Sequence, residues 1–536
     1  MTHALDCGAD PLHEHPSDAS ATTVWQVAAV EDDPIEYGEL ARTSWWHERY
    51  TVLLTIGITL GLTAIVIPYR EVNIPPIIML MGAMFVGLLC LKFALEDYTY
   101  LMLMFAIYAP FQKVLPGDFG SFLRTFNITN IMILLMMFGW FSQGITTGRK
   151  LLTVRWVDLF VFLFMFMSTI ALIRGYYYYG IEMERGEHLI FPLKRWLEPM
   201  LIYFLFVNNL TDRATMRKLT LAAFIAILCC ALICLKEFYL DKNGLYDDFS
   251  SLDRMRIVGI ADQSNQMAAF FCYYGFFILS FFLCYLNVPI YWSLWFVFVL
   301  CYQSMHLCFS RGGQLGFLAG GIMTLWFWSK RVFFLCVAPL LIIGIMQPDL
   351  IPARFVGRLG HTIVAPTDEF SADSGRTQLD PTANERLVIW SAAVLMIYDY
   401  PMFGVGYGRF KKRIGDYNPE KATKDVHSTY LGIAAEMGIP TLIIFLIMIS
   451  LGAYHAWKVY RHTQIRYFRA MSIGYLGGFF AFLVTNVFGS RLDSNEISFY
   501  YWIFTAIMVR MSEMTMVEVE RRAAFENQRH DQLAAL

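Results

Sequence analysis

The feature that most limits what this chain can fold into is a succession of apolar runs, each close to the length of a bilayer crossing. They fall near 50–67, 75–95, 98–112, 128–146, 157–174, 196–210, 219–238, 266–285, 289–308, 312–329, 331–347, 427–455, 467–488 and 496–512. A helical crossing takes about 20 mostly apolar residues, so the runs amount to about 12–14 spans; the lower figure applies if 98–112 and 196–210, short and polar-tipped, are only partly embedded. The chain is 57% hydrophobic and 16% charged, against roughly 25% charge in an average soluble chain. A soluble fold of 536 residues could not bury so much apolar surface. Inside a bilayer every backbone N–H and C=O has to be satisfied by the chain itself, so the expected class is an all-α polytopic membrane protein.

Lys and Arg in the short loops set the orientation. Arg149, Lys150 and Arg155 share one loop, Arg213, Arg217 and Lys218 a second, Lys330 and Arg331 a third, and Lys458, Arg461, Arg466 and Arg469 a fourth. Alternating the spans places all four on one side, expected to be the cytoplasm. The opposing short loops near 68–74 and 489–495 carry one cation each, Arg70 and Arg491. Long loops are largely exempt from this rule and here are rich in cations, above all 348–426, with Arg354, Arg358, Arg376, Arg386, Arg409, Lys411, Lys412, Arg413, Lys421 and Lys424. An outer face this basic suits an anionic ligand or, alternatively, contact with anionic headgroups. The net charge of −2 says nothing of partners, and no nucleic acid is expected among them.

Nine of the cysteines lie in or beside apolar runs and read as small hydrophobes, with no zinc or disulfide spacing. Residues 1–44, with Asp6, Asp10, Glu14, Asp18, Glu31, Asp32 and Asp33, lack the regions of a signal peptide and read as a disordered acidic tail. In the large loop, Asp380 can cap a helix with Pro381 at its first position, leading into the apolar run Leu387 to Tyr398. About twelve residues are too few to cross, so this helix is expected to be interfacial or re-entrant.

Three constellations carry candidate chemistry. In SRGGQLG, from Ser310 to Gly316, Gly312, Gly316 and Gly320 leave one helical stripe bare for a close neighbour. Arg311 there either snorkels or binds phosphate bidentately. The run NERLVIWSAAVLMIYDYPMFGVGYGRF, from Asn384 to Phe410, puts Arg386 near a helix start that favours anions, or on a plain amphipathic surface. Its glycines Gly404, Gly406 and Gly408 either admit a ligand or form a tight turn. In HSTYLGIAAEMGIPT, from His427 to Thr441, His427 marks where the basic loop re-enters the membrane, either as an interfacial side chain or as a base.

Taken in order, these three stretches resemble the successive motifs of the O-antigen ligase and polymerase family. The last is the most specific: His427 and Ser428, nine residues, Gly438, two residues, then Thr441. RMRIVGIADQSNQMAAFF, with Arg256 and Asn265, is similar to a weaker upstream segment. The resemblance covers about 250–455.

It implies a metal-independent membrane glycosyltransferase without a cofactor. Polysaccharide would pass from an undecaprenyl-diphosphate carrier to an acceptor hydroxyl on a glycan or lipid, at the periplasmic face of the bacterial inner membrane. His427 would be the catalytic base, Arg311 and Arg386 the diphosphate ligands, and Arg256, Asn265 and Ser428 supporting residues. The expected organisation is an acidic cytoplasmic tail, 1–44; eleven spans in 45–347; a periplasmic loop with an interfacial helix, 348–426; three spans in 427–512; and a cytoplasmic tail, 513–536. A polymerase of an O-antigen or exopolysaccharide pathway would share donor and scaffold. A transporter of lipid-linked glycans would instead call for pseudo-symmetric halves and midplane charges, whereas the cations here cluster at the outer boundary.

Overall fold

An apolar segment in a bilayer closes its hydrogen bonds within itself, and the runs are helical wherever the structure describes them. The computed structural model describes residues 98–113, 128–148, 151–179, 190–241, 256–346, 363–364, 378–379 and 381–534. The acidic tail, the spans near 50–67 and 75–95, and the Asp380 cap lie outside the described residues.

The helices are α1 (Tyr98–Tyr108), α2 (Ile128–Thr147), α3 (Trp156–Tyr179), α4 (Ile190–Asn209), α5 (Arg213–Lys236), α6 (Ser264–Cys284), α7 (Ser293–Leu307), α8 (Arg311–Trp328) and α9 (Ala338–Met346). After the large loop come α10 (Pro381–Asp399), α11 (Phe410–Tyr417), α12 (Thr429–Met437), α13 (Ile439–His462), α14 (Arg466–Thr485) and α15 (Asn495–Ala534). The described β-structure is one antiparallel pair, Ile363–Val364 with Gln378–Leu379. Among the described residues, 7 helices are long and apolar enough to cross a membrane. The other described runs are helical too, but α1 is short, α4 contains Pro199 with Lys194 and Glu198 nearby, α8 is rich in glycine, and a π turn at Phe333–Val337 precedes α9. The fold is thus an all-α polytopic membrane protein.

The glycines of α8 do what their spacing predicts. A Cβ on Gly312 would stand 3.1 Å from Phe488 Cβ, one on Gly316 would collide with Thr485, and one on Gly320 would lie 2.8 Å from the Gly477 carbonyl. α14 is therefore wedged against α8, and through Gly474 and Gly478 against α6. Close backbone approach increases van der Waals contact where lipid supplies no hydrophobic drive.

The described cations of the four basic loops gather at one end of this bundle. Arg155 pairs with Glu513, and Arg213 with Glu518. Arg213 also faces Phe468, Arg217 faces Tyr467, Arg469 faces Tyr460, and Tyr460 packs on Phe327 beside Lys330. α15 extends from the bundle past residue 513 and is exposed from Glu520 onward.

The opposite end carries a cap with its own small core, in which Ile389, Ala393 and Met396 of α10 meet Val405, Phe410, Ile414 of α11, Val426 and Ala435 of α12. Here the structure corrects one reading: the run 427–455 is not a single span. α12 has 9 residues and ends at Gly438 (φ +91°), where α13 begins. A Cβ at Gly438 would collide with the Met402 carbonyl, and Ile439 N donates to Pro401 O at 2.8 Å. The loop before α11 thus docks into the break and turns the chain before it enters the span.

Candidate active site at the junction of cap and bundle

His427 lies in the turn before α12, and both flanks of that turn are tied down. On one side Trp390 Nε1, from α10, donates to the Val426 carbonyl at 3.0 Å. On the other, Thr429 N donates to Asn486 O at 3.0 Å, while its hydroxyl donates to Asn486 Oδ1 at 2.6 Å and reaches Gly489 O at 3.2 Å. Between these anchors His427 is exposed and takes a left-handed backbone, φ +50°. That region costs a non-glycine residue on the order of 1–3 kcal/mol and persists where its surroundings over-determine it. Ser428 is buried, and its carbonyl accepts from Gly432 N at 2.9 Å.

Four charged neighbours bear on the imidazole. Partial burial holds its pKa below the ordinary value; Asp425 and Glu385 pull it upward, whereas Arg386 and Arg491 push it further down. The net direction favours the free base at neutral pH, the form able to accept a proton. Arg386 stands one turn before Trp390 on α10 and is half-buried. Glu385 is held low by Lys424, which it pairs with at 3.1 Å. Several cations of the cap are likewise paired, Lys411 with Asp425 at 3.7 Å and Arg413 with Asp416 at 2.9 Å.

Arg256 and Asn265 meet as the sequence suggested. The Arg256 guanidinium donates to Asn265 Oδ1 at 2.8 Å and to the Cys308 carbonyl at 3.1 Å. It thereby braces the turn before Ser310, whose hydroxyl accepts from Gly313 N at 3.2 Å and starts α8 at Arg311. Arg311 is half-buried, and its neighbour Gly312 abuts Phe488, whose ring lies 6.3 Å from Trp390. The first turn of α8 thus reaches the same wall as Arg386 and His427.

Of the two readings of the glycine run, the turn prevails. All three glycines have positive φ: +63° at Gly404, +104° at Gly406 and +71° at Gly408. What approaches them is protein backbone, Glu436 at Gly404 and Gly175 of α3 at Gly406. Val405 N donates to Ala435 O at 2.8 Å, Gly406 N to Glu436 O at 2.9 Å, and Phe410 N to the Glu436 carboxylate at 3.0 Å. These contacts fix the loop to the end of α12.

Sequence reasoning passed over Arg491. It noted the residue only as the single cation of a short outer loop, which was the available signal. In the fold Arg491 is buried and is influenced by both Arg386 and Arg256. Asn486 is a second omission. It is fully buried, and besides accepting from Thr429 it donates to Tyr273 Oη at 2.9 Å.

An imidazole held toward its free base, facing arginines from separate elements at a membrane boundary, defines a site for moving a proton beside an anionic group. Among the described residues no group of three or more His, Cys, Asp or Glu side chains is placed to hold a metal ion. Residues 295–446 match the family model described as O-antigen ligase, which bears out the resemblance over that segment. The match includes Arg311, Arg386, His427 and Ser428, whereas Arg256, Asn265 and Arg491 lie outside it. No curated protein matches the chain. The chain is thus a multi-pass membrane protein with a segment similar to the O-antigen ligase family, a likeness that points to glycosyltransferase-like chemistry on lipid-linked glycans.

Proposed function

We propose that the protein transfers polysaccharide from an undecaprenyl-diphosphate carrier to an acceptor hydroxyl at the periplasmic face of the bacterial inner membrane, with both termini cytoplasmic. The observation that carries this reading is His427, held in a strained turn and kept toward its free base beside Arg386. In the reaction His427 takes the proton of the acceptor hydroxyl as that oxygen attacks the anomeric carbon. The bond from that carbon to the diphosphate oxygen breaks, and the electron pair leaves with the diphosphate. Direct attack from the opposite face inverts the anomeric centre. Arg386 and Arg311 receive the growing charge, a task that a guanidinium fork performs without a metal ion. Arg256, Asn265 and Ser428 hold the walls on which these groups stand.

His427→Ala, at unchanged protein level, is expected to lower transfer by about 10²–10⁴-fold, the usual contribution of a positioned base. Extraction of the lipid-linked precursor then separates two enzymes. Long chains left on the carrier mark a ligase that joins finished glycan to its acceptor, and single repeat units mark a polymerase. Normal product in this variant would remove His427 from the base role.

A further inference from the structure

The loop between α14 and α15, residues 486–494, holds a guanidinium that the mechanism above does not use. Arg491 is 5% exposed. Its Nη2 donates to the Phe488 carbonyl at 3.3 Å, and its Nε has no hydrogen-bond partner among the described residues. A guanidinium taken this far out of water costs several kcal/mol unless partners restore what hydration supplied. One long bond to a carbonyl does not restore it. The nearby Asp493 carboxyl, pushed up by burial to about 6, is a counter-charge to Arg491, but its own Oδ1 also has no hydrogen-bond partner among the described residues. Arg386 and Arg256 bear on Arg491 from the cap and from the turn before α6, and both repel it.

The fold nevertheless fixes the loop in this place. Thr429 binds Asn486 and Gly489, and Asn486 binds Tyr273 and the Phe482 carbonyl, the latter at 2.9 Å. Gly489 presents no side chain to the guanidinium, and a Cβ there would collide with it. Like charges drawn from three separate elements, with a buried donor left over, describe a cradle whose missing component is an anion of more than one charge.

We propose that Arg491 is a further diphosphate-binding residue, closing with Arg386 and Arg256 around the leaving group of the lipid-linked donor. The proposal rests on the functional reading given above and adds a residue outside the segment that resembles the ligase family. The diphosphate, bridging the three guanidiniums, offsets their repulsion and accepts from the free Nε.

The test measures affinity of the full-length protein in nanodiscs for a synthetic polyprenyl diphosphate, with the polyprenyl alcohol as the uncharged control. Arg491→Gln is expected to weaken diphosphate binding by about 10–100-fold, the effect of removing one charge-assisted contact, and to leave binding of the alcohol unchanged. Gly489→Ala, which displaces the guanidinium while keeping its charge, is expected to weaken it in the same direction. Arg461→Gln, at the far end of the bundle, serves as the reference for a substitution that changes charge alone. Wild-type affinity in a folded Arg491→Gln or Gly489→Ala variant, with Arg386→Gln impaired, would overturn the role of Arg491 and leave the functional reading standing. If Arg491→Gln does not fold, Gly489→Ala alone decides. Wild-type protein that binds diphosphate and alcohol equally would overturn the functional reading itself.

Discussion

The two ends of the bundle use arginine in opposite ways. At the end with the basic short loops several guanidiniums have evident partners within the fold. Arg155 meets Asp158, Asn208 and Glu513, Arg510 donates to the Leu210 carbonyl at 2.7 Å and pairs with Glu513, and Arg466 stacks 4.5 Å above Tyr285. At the other end Arg386 and Arg256 each bear on Arg491, and Arg386 and Arg491 also bear on His427. Cations that satisfy one another's surroundings hold helices in register. Cations that crowd together raise an unfavourable field that an anionic ligand relieves. The comparison separates structural arginines from candidate ligand-binding ones on electrostatic grounds alone.

Substitution at each end puts that difference at risk. Arg386→Gln should lower the rate constant for transfer by about 10²–10³, the effect of losing one preorganised group at a developing charge, with melting temperature unchanged; Arg386→Lys should recover part of the rate. An equal loss of melting temperature would make Arg386 structural. Arg155→Gln should do the reverse. It leaves Asp158 without its cation and Glu513 with Arg510 alone, and breaking a buried pair costs about 3–5 kcal/mol, read as a lower melting temperature with the rate per folded molecule preserved. A smaller stability loss, about 1–3 kcal/mol from backbone strain, is expected for Gly438→Ala, because it obstructs the Met402 carbonyl at the kink that separates α12 from the span. That variant should also slow transfer, since the turn of His427 rests on α12. The smallest effect is on pH. With the imidazole held below 6.5, the rate should fall only on the acid side of that value as His427 becomes protonated. Asp425→Asn, which removes the carboxylate that raises the imidazole, should move the midpoint further toward acid; Arg386→Gln should move what activity remains the other way. A midpoint indifferent to both would detach the titration from His427.

Much of the scaffold was legible because membrane helices are written in local composition. The apolar runs place α2, α6 and α14 to within three residues at each end and α3, α5 and α7 to within six, and the Gly312, Gly316 and Gly320 spacing foretold a close neighbour. The break at Gly438 was not read, because an apolar run looks the same to either side of it. What ends α12 there is the Pro401–Gly404 backbone, brought in from thirty-odd residues earlier in the chain. Arg386 and His427 stood out through motif resemblance, whereas Arg491, in a loop with no such motif, did not.

The sequence by itself determined that this chain crosses a membrane repeatedly as helices, that its short loops divide their cations unequally, and that one histidine and two arginines lie in stretches resembling a glycan ligase. Hydrophobicity, charge and motif spacing are properties of neighbouring residues, so one dimension suffices to read them. Only the tertiary structure decided that the glycine run holds protein backbone, that His427 occupies a left-handed turn between Trp390 and Asn486, and that Arg386 and Arg491 both bear on it. Convergence depends on which helices pack together, through contacts between residues as far apart in the chain as Tyr273 and Asn486, and no local pattern encodes that.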